Sequence, residues 1–217
     1  NGNHWARANS IPLSTLAIDP ANPLTLYGGY NSIAKSTDGG LTWASASTGL
    51  TPQFFVTQLL IDQSNPSTLY ATGVGYFFLE GPSSNPATPL DQPPPTLRYF
   101  FKSTDAGTSW QEVSSLPLPQ PPAALAMDPQ NSARLFINIS GVLYRTTNGG
   151  GSWQLVNNRA AYVGLVVDPK TASTLYGLDN GDPVRSTDAG QTWAKIGKGL
   201  PLPAGVRMAA AVLWVLS

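Results

Sequence analysis

An eight-residue phrase occurs four times in this chain: STDGGLTW at 36–43, STDAGTSW at 103–110, TTNGGGSW at 146–153 and STDAGQTW at 186–193. Its residues are those of a tight turn. Gly40, Gly107, Gly150 and Gly190 hold one position, where a positive φ is expected because only glycine adopts it without a Cβ penalty. Asp38, Asp105 and Asp188, with Asn148 in the third copy, supply acceptors for turn N–H groups. Ser36, Ser103, Thr146 and Ser186 supply hydroxyls that bond to nearby backbone. Trp43, Trp110, Trp153 and Trp193 end the phrase with apolar area. Asn148 keeps the acceptor and drops the charge, so the phrase does not depend on a carboxylate. It reads as a staple across a hairpin rather than as a catalytic box or a metal loop.

A second phrase precedes each staple: LAIDPANPLTLYGG at 16–29, LLIDQSNPSTLYAT at 59–72, LAMDPQNSARLFIN at 125–138 and LVVDPKTASTLYGL at 165–178. From its Asp to the Asp or Asn of the staple is 19, 43, 20 and 20 residues. The repeat is therefore about 40 residues long, with one insertion in the second copy. Each copy holds four short β-branched or aromatic segments between Gly, Pro and Asn turns, and no helical periodicity interrupts them. Four-stranded units of this length are propeller blades, which cannot bury both faces alone and so must stack. The expectation is an all-β chain forming one β-propeller domain over 1–217. Its full blades fall at about 15–48, 56–114, 123–157 and 163–197, with an insertion hairpin at 74–101. The fragment NGNHW at 1–5 matches the end of a staple, and VLWVLS at 212–217 matches the strand that precedes one. Residues 206–217 with 1–9 are thus expected to make a closing fifth blade, the alternative being an arc of a larger propeller.

The staple resembles the Asp-box, or BNR, pattern of sialidases, sortilin and xyloglucanase-type glycoside hydrolases. The DPxNPxTLY phrase is most similar to the xyloglucanase and sortilin-like branches. The resemblance covers nearly the whole chain and implies a propeller whose boxes sit on the rim, away from the ligand site. It constrains function little, because enzymes, receptors and photosystem assembly factors share the repeat.

Composition narrows the rest. Charged residues make up only 11% of the chain, twelve acidic against twelve basic. No Lys/Arg cluster of the kind that releases counterions from nucleic acid is present, and no apolar run is long enough to span a bilayer. Cysteine is absent and His4 is the sole histidine, which removes thiolate chemistry and leaves neither a metal site nor a cofactor to expect. Low charge with abundant Ser, Thr, Asn, Gly and Pro suits an extracellular or cell-surface protein.

If the staples join the third and fourth strands, the loops between second and third strands lie on the opposite face, where the resemblance to this fold family implies that ligands bind. The insertion opens there. Its flanks, YFFLE at 76–80 and LRYFF at 97–101, mirror one another and suggest Tyr76, Phe77 and Phe78 opposite Tyr99, Phe100 and Phe101, with Glu80 near Arg98. Such aromatics either stack on a ligand or cover the neighbouring blade. The ligand-binding candidates are Tyr30, Phe54, Phe55, Tyr76, Phe77, Arg98, Tyr99, Asn158, Arg159 and Tyr162. The repeat itself uses Asp19, Asp62, Asp128, Asp168, Asp38, Asp105 and Asp188, which leaves Glu80, Asp91, Glu112, Asp179 and Asp182; of these, Glu80 with Asp179 or Asp182 is the candidate glycosidase pair across the face. The expected function is a non-catalytic binding or scaffold propeller with a polysaccharide or protein partner. The alternatives are a glycoside hydrolase and a subunit that self-assembles through its incomplete blade.

Overall fold

A computed structural model describes residues 12–51, 54–76, 96–113, 122–158 and 162–196. The termini proposed as a closing blade, 1–9 and 206–217, lie outside the described residues. Every regular element described is a strand, and the strands form four antiparallel sheets, each a meander in chain order. The first comprises β1 (Thr15–Ile18), β2 (Leu26–Gly29), β3 (Ile33–Ser36) and β4 (Ala44–Ser45). The second comprises β5 (Phe54–Ile61), β6 (Leu69–Tyr76), β7 (Thr96–Ser103) and β8 (Gln111–Glu112). The third is built from β9 (Pro122–Asp128), β10 (Asn131–Ile139), β11 (Val142–Thr146) and β12 (Gln154–Asn157). The fourth contains β13 (Tyr162–Val167), β14 (Leu175–Asp179), β15 (Asp182–Ser186) and β16 (Ala194–Lys195). The DP phrase joins first and second strands, and the staple joins third and fourth, as the repeat predicts.

Register is conserved across the copies. Leu26 pairs with Ser36, Leu69 with Ser103, Leu135 with Thr146 and Leu175 with Ser186. The leucine that follows the DP turn is therefore always opposite the first residue of the staple. In the second sheet this register overrides the mirrored flanks of the insertion. Tyr99, Phe100 and Phe101 lie opposite Gly73, Thr72 and Ala71, not opposite Tyr76, Phe77 and Phe78, and Arg98 pairs with Val74. Phe77 and Glu80 lie outside the described residues, as does the rest of 77–95. Space explains the register: a Cβ on Gly75 would sit 2.7 Å from the Tyr99 ring, and one on Gly73 2.5 Å from that of Phe54.

The described residues divide into two compact units, one carrying the first two sheets and the other the last two. In the first unit, Tyr27, Ile33 and Ala46 of one sheet pack on Val56, Leu59, Leu69, Phe101 and Trp110 of the next. Each large side chain so buried contributes about 1.5–3 kcal/mol of transfer free energy. Polar contacts fix the sheets at two levels. At one end of the strands, Val56 N–H donates to Tyr30 O at 2.7 Å and Ser14 Oγ donates to Val56 O at 2.9 Å. At the other, Trp110 Nε1 donates to Ala46 O at 2.8 Å and Tyr27 Oη to Ala106 O at 3.0 Å. The second unit has its own core, in which Ala126, Phe136 and Leu143 meet Leu165, Val167, Leu175 and Val184.

Gly49 closes the first interface. Its φ is +87°, and a Cβ there would lie 2.2 Å from the backbone oxygen of Trp110. Neither the backbone strain nor the collision can be relieved by a side-chain rotation. Gly49→Ala is expected to destabilise the protein by about 2–4 kcal/mol, measured as a fall in the denaturant midpoint, whereas Gly181→Ala, with φ +92° but open space around it, loses only the strain component.

Candidate functional site

The four staples share one hydrogen-bond network. Ser36 Oγ accepts from Gly40 N–H at 2.9 Å and donates to Asp38 Oδ1 at 2.7 Å. Asp38 in turn accepts from Thr42 N–H at 2.9 Å and from Thr42 Oγ1 at 2.6 Å. Ser103, Asp105, Gly107 and Ser109 repeat the pattern, as do Ser186, Asp188, Gly190 and Thr192. The four glycines have φ between +79° and +96°, and the four hydroxyl residues that begin the staples are buried. In the third copy, Asn148 Oδ1 accepts from Thr146 Oγ1 and Ser152 N–H, while its Nδ2 donates to Ser152 Oγ at 3.0 Å. An amide reverses one bond and preserves the turn. Of the staple tryptophans, Trp110 is buried, whereas Trp43, Trp153 and Trp193 are half-buried.

The hydroxyl and N–H of Thr42, with Ser36, hold the Asp38 carboxyl at about 2, below its ordinary 3.8. Ser109 does the same for Asp105 and Thr192 for Asp188, each again to about 2. The DP aspartates act likewise as turn acceptors: Asp19 receives N–H groups from Ala21 and Asn22, and Asp168 from Lys170 and Thr171. Asp128 accepts from Gln130 N–H and pairs with Arg134 at 3.1 Å.

At the opposite strand ends of the first unit, Tyr30 is 42% exposed and meets Phe55 edge-on, with ring centroids 6.2 Å apart. Asn31 and Ser32 beside it are exposed. The Tyr30 backbone is tied down on both sides, its N–H to Ser32 O and its carbonyl to Val56 N–H. A rigid, displayed aromatic pair results. The other aromatic candidates go inward. Phe54 is 1% exposed and Tyr99 7%, with Phe54 edge-on to Tyr99 and to Phe101 at 6.1 and 5.0 Å. Burial pushes the Tyr99 phenol up. Phe54 and Tyr99 are core residues. Of Tyr76, Arg98 and Tyr162 only the strand positions are described.

In the second unit Asn158 is exposed after β12, and Arg159 lies outside the described residues. Asp179 and Asp182 face each other across the turn formed by Asn180 and Gly181, whose φ values are +51° and +92°. Asp179 accepts from Asn180 Nδ2 at 3.1 Å, and Asp182 pairs with Lys195 at 2.6 Å. This is an asparagine–glycine hairpin turn with its charges matched locally. Among the described residues no group of three His, Cys, Asp or Glu side chains converges to hold a metal ion, and no helix is long and apolar enough to cross a membrane. Sequence reasoning passed over one feature: a cleft of about 420 Å³ on the staple side of the first unit, walled by Trp43 and floored by Lys35. Its only sequence signal is three small residues, Ala44, Ser45 and Ala46, where the third copy has Gln154, Leu155 and Val156.

No protein-family model matches the chain. It is 27% identical to a xyloglucanase of Hypocrea jecorina over 83% of its own length, but spans about a quarter of that enzyme. Among solved structures, a GH74 xyloglucanase from Xanthomonas campestris superposes with a TM-score of 0.63 at 20% identity, covering 88% of this chain and 33% of that one. A YCF48 structure bound to D1 peptide superposes with a TM-score of 0.57 at 15% identity, covering 88% of this chain and 56% of that one. The chain is thus built of Asp-box β-propeller blades, distantly homologous to the xyloglucanases and alike in fold to YCF48.

Two outcomes follow from this geometry. The staple carboxyls titrate lower folded than unfolded, so their stabilisation is complete above about pH 4 and is lost as pH falls from 4 towards 2. Asp105→Asn should keep near-neutral stability, as Asn148 does in its own copy, and flatten that acid loss in unfolding curves. Phe54→Ala should cost about 3–5 kcal/mol, whereas Tyr30→Ala should stay within about 0.5 kcal/mol by denaturant titration.

Proposed function

We propose that the protein is a non-catalytic binding or scaffold propeller, working outside the cell or at its surface, whose partner is a polysaccharide or a protein. One observation carries this reading. Every described aspartate is committed within its own turn or hairpin, to N–H groups, hydroxyls, an amide or a cation. The staple carboxylates Asp38, Asp105 and Asp188, held at about 2 by these bonds, are poor proton shuttles at neutral pH. What the unit displays on the face away from its staples is the Tyr30–Phe55 pair with Asn31. Aromatic surface flanked by amides suits stacking and hydrogen bonding to a sugar chain or a peptide. The likeness in fold to YCF48, one structure of which holds a peptide, supports the protein-partner branch.

A second reading is a glycoside hydrolase, favoured by the homology with xyloglucanases over 83% of the chain. Incubation with xyloglucan, other β-glucans, sialylated glycans and immobilised peptides separates the two when released sugar ends and retained protein are read together. The expected result is retention without release, weakened at least about tenfold by Tyr30→Ala, about 1.4 kcal/mol. Release of sugar ends that Asp179→Asn or Glu80→Gln abolishes would establish the hydrolase instead. Concentration-dependent mass without retention on any member would establish self-assembly.

A further inference from the structure

The cleft on the staple side of the first unit is bordered by three small residues, Ala44, Ser45 and Ala46. In the third copy, β12 carries the exposed Gln154 and Leu155 and the half-buried Val156, and Asn157 Nδ2 donates to Gln191 O at 2.7 Å. That bond bridges the outer strand to the next turn. The first copy has Ala44, Ser45 and Ala46 at the corresponding positions, and Ser47 Oγ instead donates back to Ile33 O at 2.8 Å. The cleft has a volume of about 420 Å³, within the range of small-ligand sites.

Its chemistry is lopsided. Lys35 Nζ enters it, donating to Ala106 O at 3.1 Å and lying 5.2 Å from the Tyr27 ring centroid. Two of its three N–H groups are not needed for that bond. None of the residues lining the cleft is a carboxylate, and the ion pairs among the described residues leave Lys35 without one. Both Asp38 oxygens, behind Thr42, are taken by Ser36 and Thr42. Trp43 forms a wall with its Nε1 already donating to Gly40 O at 3.0 Å, so ring surface is what it offers. The hydroxyls of Thr42 and Thr108 donate inward, to Asp38 and to Asp105 O, leaving lone pairs that accept from a ligand.

We infer that this cleft binds a carboxylate-bearing sugar ring, a uronic acid residue, at a site distinct from the Tyr30–Phe55 surface. The carboxylate pairs with Lys35, the ring's C–H face lies on Trp43, and sugar hydroxyls donate to the threonines. An acidic peptide could use the cation and, through its N–H groups, the hydroxyl acceptors, but it brings no C–H ring face to Trp43.

Calorimetric titration of the full chain with trigalacturonic acid, its methyl ester and an acidic tripeptide tests the assignment. Binding of the acid is expected, with the ester and the peptide each weaker by at least about tenfold, the scale of one charge-assisted hydrogen bond. Lys35→Met should lower affinity for the acid by a similar factor, as should Ala44→Gln with Ser45→Leu, which enlarges two of the residues lining the cleft. Tyr30→Ala should leave it unchanged, which separates this site from the surface proposed above. Equal binding of acid and ester, preference for the peptide, indifference to both variants, or no binding of the acid at millimolar concentration would each overturn it.

Discussion

The hydroxyl that begins each staple is the contact from which the rest of the structure follows. It accepts from the glycine N–H four residues on and donates to the Asp or Asn between them, so one buried oxygen satisfies the turn in both directions. That closes the hairpin between third and fourth strands and places the residue before it opposite the second strand. The leucine after each DP turn then has one partner, and the blade has one register. Since side chains alternate across a strand, a one-residue slip would turn the whole buried set outward. A local polar network therefore decides which aromatic and aliphatic residues meet in each core.

Dependence on local chemistry is also why so much of the architecture is legible in the chain itself. Ser, Asp, Gly and Trp at fixed spacing encode a turn without reference to anything distant, and four copies at one period encode stacked sheets. The register of the insertion is not legible in this way. The mirrored phrases at 76–80 and 97–101 invite symmetric pairing, yet Leu69 opposite Ser103 fixes the alignment from the far end of the strand, and Gly73 and Gly75 make room for the rings that result. Phe54 and Tyr99 are drawn inward by that alignment, whereas the alternation of β5 leaves Phe55 half-buried beside Tyr30, which is exposed just after β2.

The cleft by Trp43 is illegible for a different reason. It is bordered by Ala44, Ser45 and Ala46, and small residues on a short outer strand carry no signal of a cleft. In the sister strand Asn157 instead bonds to the next turn. The repeat thus has a fixed part, the network of hydroxyl, carboxyl and glycine, and a free part, the outer-strand side chains. Changes in the free part alter surface chemistry without touching the fold, which fits a fold found in proteins as different as xyloglucanases and YCF48.

Tyr76 at the end of β6 and Thr96 at the start of β7 are direct partners. The two ends of the connection are therefore held together by a ladder already secured about twenty ångströms of strand away. Closing a longer or shorter excursion at that point changes the chain entropy by only about 0.6 kcal/mol per doubling of length. The position is a socket: the sequence inserted there can be exchanged with little thermodynamic consequence for the blade beneath it.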